Sequence, residues 1–72
     1  MDFNHFLTSY MPDTSIGSRQ HFKNMLEECV TAEKLGYATV SIPEHHLINL
    51  LMMPSPLQMA VKIASVTKNI KI

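Results

Sequence analysis

Seventy-two residues, 46% of them hydrophobic, with six basic and six acidic side chains summing to no formal charge, describe part of a soluble globular protein and exclude a disordered chain. The charges are interspersed without runs, so the electrostatic footprint needed for nucleic acid or for an anionic membrane surface is missing, and neither partner is expected. Met1 to His5 lacks the basic and apolar regions of a signal peptide, and the apolar run from Leu47 to Met53 is broken by Asn49 and too short to span a bilayer, so a cytoplasmic protein is expected.

Asp2 to Thr8 forms the first expected strand, apolar on both faces around Phe3, Phe6 and Leu7. Tyr10 to Gly17 follows as a loop, with Pro12, Asp13 and Gly17 as breakers. Ser18 is expected to cap a helix from about Arg19 to Leu35. Phe22, Met25, Leu26, Cys29 and Val30 recur at three- and four-residue steps on its apolar face, opposite Lys23, Asn24, Glu27, Glu28, Thr31 and Lys34. The single cysteine, Cys29, lies on that face as a small core hydrophobe and has no internal disulfide partner. Gly36 stands where a helix closes its last turn with a left-handed residue.

A second strand, Ala38 to Ile42, comes next, and its carboxyl end delivers Pro43-Glu44-His45-His46 into a loop. The carboxyl end of a parallel strand is the open end of an α/β sheet, where ligands reach the chain. The loop from Leu47 to Pro54 is unusually apolar; it either packs on its own protein or lines an apolar pocket or subunit interface. Ser55-Pro56-Leu57-Gln58 then reads as a capping box with Pro at the first helical position. The expected buried stripe of this second helix is Leu57, Ala60, Val61 and Ala64, with Ile63 on the flank. Ile70 to Ile72, beyond Asn69, opens a third strand.

The order strand, helix, strand, helix, strand, with crossovers long enough to join parallel strands, defines an α/β unit. Right-handed crossovers place both helices on one face and leave the other bare. That face calls for more chain or another copy of this one, so a homo-oligomer is expected. No repeat or linker divides residues 1–72, which read as a single partial domain.

For the histidine pair two readings stand. One imidazole bonds a loop carbonyl while the other is solvated, or one of them handles a proton near neutral pH. Adjacent residues at a strand end point to opposite sides, so a shared metal ion is not expected. His5 is expected to be hydrogen-bonded and buried, or solvated. His21, in the first turn of the first helix, is expected on the surface as a neutral imidazole.

Four segments, Phe6 to Pro12, Glu33 to His46, Met53 to Pro56 and Ala64 to Ile72, together resemble the amino-terminal quarter of the bacterial luciferase-like flavin monooxygenases. The resemblance implies a parallel β-α-β-α-β fragment of a (β/α)8 TIM barrel, a flavin monooxygenase that acts on an organic substrate with reduced flavin, FMN or, in some relatives, the deazaflavin F420. It assigns catalysis to His45, with His46 and Glu44 as neighbours, and places Thr8, Ser9 and Tyr10 near the flavin ring. It also places the flavin-phosphate segments later in the barrel, so no turnover is expected of these 72 residues alone. Asn4, Ser41 and Leu50 stand where the family often has a small residue, an aromatic and a glycine.

Overall fold

The computed structural model describes residues 1–48 and 50–72. In chain order it contains β1 (Asn4–Phe6), a 3-10 turn (Thr14–Ile16), α1 (Ser18–Lys34), β2 (Thr39–Ser41) and α2 (Pro56–Val66). β1 and β2 pair in parallel, with Asn4 opposite Thr39, His5 opposite Val40 and Phe6 opposite Ser41. Both strands are shorter than their apolar runs, because the chain leaves the ladder as soon as it turns toward the next element. The expected third strand is present as a single parallel bridge. The N–H of Val40 donates to the carbonyl of Lys71 at 2.8 Å, and the N–H of Lys71 donates to that of Ala38 at 3.0 Å.

The boundaries of α1 follow from its two glycines. Gly17, at φ 82° and ψ 155°, is the N-cap, and no side chain caps the helix there. Ser18 is instead its first helical residue, a correction to the expected cap, because the chain enters at a positive φ that glycine adopts without strain. At the other end Gly36 has φ 87°. Its N–H donates to Glu33 at 3.1 Å and that of Tyr37 to Ala32 at 3.0 Å, the paired bonds of a Schellman closure.

Leu7, Met25, Cys29, Val40, Met53, Met59 and Ile63 make the core, with Phe22, Leu26, Ile42 and Ile70 packed against it. The buried face of α1 runs His21, Met25, Cys29 and Ala32. The expected surface position of His21 is therefore corrected: it lies one helical turn ahead of Met25 on the same face, 5% exposed. Val30, expected in the stripe, sits on its flank.

The buried stripe of α2 is also corrected. Met59 and Ile63 are inside, whereas Leu57 and Val61 are 82% and 73% exposed. This helix is apolar around most of its circumference, so periodicity alone does not select a face; packing against α1 does. Ser55 is the N-cap, but its hydroxyl donates to Gln58 Oε1 at 2.8 Å rather than receiving a backbone N–H, so the expected capping box closes through side chains.

On the side of the sheet away from the helices stand Asn4, Phe6, Thr39 and Ser41. The expectation of strands apolar on both faces is corrected by this set. Thr39 Oγ1 and Ser41 Oγ both donate to Asn4 Oδ1, at 2.6 and 2.9 Å. Asn4 and Ser41 thus meet across the strands.

Candidate functional site

Beyond Ser41 the chain runs Ile42-Pro43, and Pro43, lacking an N–H, cannot extend the ladder. Glu44 and His46, two residues apart, meet on one side: His46 Nε2 donates to Glu44 Oε2 at 2.7 Å. Both side chains are more than half exposed, at 61% for Glu44 and 58% for His46. The carboxylate thus engages His46 and not His45. His45 lies between them, partly buried, and its backbone N–H donates to the carbonyl of Met53 at 2.8 Å.

The end of β1 is shaped by Ser9, which has φ 60° and is 2% exposed. Its hydroxyl donates to the carbonyl of Thr8, while the N–H of Tyr10 donates to Thr8 Oγ1 at 3.4 Å. This turn carries the Ser9 side chain inward and leaves Thr8 and Tyr10 exposed.

The two strand ends are joined by the return of the apolar loop. Tyr10 and Leu51 form an antiparallel bridge, the N–H of Met11 donates to Leu50 at 2.7 Å, and the N–H of Met52 donates to Ser9 at 3.2 Å. Residues 9–11 and His45 are therefore tied to the same return segment, 50–53. Met53 resolves part of the open question about this loop, for it is fully buried in the protein's own core. Leu47, Ile48 and Leu50 remain exposed.

The other two histidines lie off this face. His5 points to the helix side of β1, where its Nε2 meets Glu28 Oε2 at 3.2 Å and its ring lies edge-on to Tyr37 at 6.1 Å. With Glu28, Leu35 and Tyr37 it lines a cavity of about 450 Å³ remote from the strand ends. His21 Nε2 donates to the carbonyl of Ser9 at 3.1 Å, a contact that sequence reasoning missed. The signal was present in the four-residue spacing of His21, Met25 and Cys29. Among the described residues, no three of the His, Cys, Asp and Glu side chains converge as a metal site requires, and no helix is long and apolar enough to cross a membrane.

Parallel βα units bring an exposed Glu-His pair, a partly buried imidazole and two exposed hydroxyl side chains to one end of the sheet, the end at which α/β folds take ligands. The whole chain, residues 1–72, matches the sequence model of the luciferase-like monooxygenases, and it belongs to that family. It is 29% identical over all 72 residues to a Sinorhizobium fredii protein described as the uncharacterized protein y4vJ. The chain spans 20% of the length of that curated relative.

Proposed function

We propose that these residues form the first two βα units, and the start of a third strand, of a (β/α)8 barrel that acts on a small organic substrate with a reduced flavin, oxygenating it with reduced FMN or passing it hydride from reduced F420. The observation that carries the reading is the family match over the entire chain. The strand-end residues fit a flavin ring, since the Thr8 hydroxyl, the Tyr10 phenol and the His45 imidazole offer hydrogen-bonding groups and aromatic surface on an accessible face. When bound, reduced FMN would supply the electrons that activate dioxygen, whereas reduced F420 would supply hydride to the substrate.

The chain's own residues contribute position and a proton. His45 is the acid-base group, an imidazole able to give or take a proton at a ring nitrogen. Glu44 accepts the Nε2–H of His46, with the two heavy atoms 2.7 Å apart, and so orients His46 beside it. Thr8 and Tyr10 would flank the ring, and the positive φ of Ser9, whose own side chain is buried, sets the directions of the other two. The flavin-phosphate segments of such barrels lie later in the chain, so residues 1–72 alone bind flavin weakly and do not turn over substrate.

Anaerobic titration with reduced FMN and with reduced F420, followed by calorimetry, tests this reading. Binding that weakens roughly tenfold in His45→Ala, about 1.4 kcal/mol, supports it. Indifference of the protein to both flavins overturns it.

A second reading, self-association without catalysis, draws on the exposed Leu57 and Val61 of α2 and on the open strand edge at Lys71. Sedimentation equilibrium at micromolar concentration decides it: a folded monomer is the contrary result.

A further inference from the structure

We propose that His21 is a positioning residue for the strand-end face, acting through the carbonyl of Ser9. Among the described residues, Ser9 and His21 are the buried polar residues, and the His21 ring meets the Ser9 backbone, with Nε2 3.1 Å from the carbonyl oxygen. A carbonyl can only accept, so Nε2 bears the proton. The same oxygen accepts the N–H of Met52 at 3.2 Å, which occupies both of its lone pairs.

The consequence reaches the candidate site along a short path. Ser9 is held at φ 60°, a conformation disfavoured for a residue with a side chain. Its carbonyl direction is fixed from one side by α1 and from the other by the return segment. That segment in turn holds His45, whose N–H donates to Met53 at 2.8 Å. His21 thus joins the first turn of α1, the end of β1 and the loop behind His45 in one arrangement. Packing alone does not call for an imidazole here. Beside Met25 and Cys29 a leucine would fill the position, and burying a polar ring is unfavourable unless it is hydrogen-bonded.

The assignment of a site role rests on the strand-end reading above, but the clamp can be measured with no flavin present. In the unaltered protein, long-range ¹H–¹⁵N spectra report which ring nitrogen of His21 is protonated. The Nε2–H tautomer is expected, and the Nδ1–H tautomer would overturn the proposal. Amide hydrogen exchange in His21→Leu and His21→Gln then separates positioning from packing. Leucine should speed exchange at Met52 and Met11 roughly fivefold, the loss of one hydrogen bond; glutamine, which retains a donor, should restore the slow rate.

A packing role predicts the reverse order, leucine silent and glutamine disruptive, and that result would also overturn the proposal. Should His21→Leu fail to fold, the tautomer and the glutamine variant still decide: slow exchange in the latter supports the clamp, and fast exchange rejects it. Failure of the unaltered protein to bind flavin would remove the functional reading while leaving the exchange result intact.

Discussion

Glu33, in the last turn of α1, accepts the backbone N–H of Asn69 at 2.6 Å across 36 positions of chain. The same oxygen takes the N–H of Lys68 at 2.8 Å and of Ile70 at 3.0 Å. One carboxylate therefore seats the turn that carries the chain from α2 to its bridge with β2.

These three bonds favour the charged form, led by that from Asn69, and hold the Glu33 carboxyl below its ordinary value of 4.5. A depressed folded value means that the contribution to stability is complete above 4.5 and is lost as pH falls through the folded value. Glu33→Gln should therefore melt at a lower temperature at pH 7, and the gap from the unaltered protein should close as the buffer is taken toward pH 3. A constant gap across this range would show that the charge is not involved.

Cys29 gives the opposite sign. Burial, with a smaller effect from the nearby Glu28 charge, pushes its thiol up from 9.0 to about 11. The folded protein favours the neutral thiol, so its stabilising effect is present below 9.0 and declines as pH rises toward 11. The thiol should resist Ellman's reagent in the folded protein at pH 8 and react fully in denaturant; rapid labelling without denaturant would place it at the surface.

Met53 and Leu47 bracket the strand-end loop, one fully buried and the other fully exposed. Met53→Ala should destabilise the protein by about 2–5 kcal/mol, as for other buried large-to-small changes. Leu47→Ala should shift it by no more than about 0.5 kcal/mol. Urea unfolding followed by circular dichroism separates these outcomes. Equal effects would mean that the loop is not anchored through Met53.

Gly36 isolates a backbone effect. An added Cβ would meet no atom within 4 Å, yet φ is +87°. Gly36→Ala should cost roughly 1–2 kcal/mol through conformation alone, with asparagine milder than alanine. If alanine leaves the melting temperature unchanged, the Schellman closure is not what ends α1.

The parts legible in the sequence were those set by local chemistry. Gly36 marked the end of α1, Pro56 marked the first turn of α2, and the apolar Ile70 to Ile72 foretold contact with β2. The Glu44-His45-His46 motif could be placed at a strand end, and two-residue alternation accounts for the bond of Glu44 to His46.

Features set by tertiary contact were hidden. Leu57 and Val61 are as apolar as Met59 and Ile63, so only the neighbouring helix could choose between the faces. His21 was masked by its residue type, although its spacing matched the core. The bonds from Glu33 to residues 68–70 have no local signal at all, because their partners lie 35 to 37 positions away.

The most direct test of the strand-end site is the amide spectrum of the ¹⁵N-labelled protein as reduced FMN is added without oxygen. Shifts confined to residues 8–10, 44–46 and the return segment 50–53 are predicted, with the amides of His5, Glu28 and Tyr37 unmoved. Shifts centred on that helix-side cavity, or none at millimolar flavin, would contradict the account.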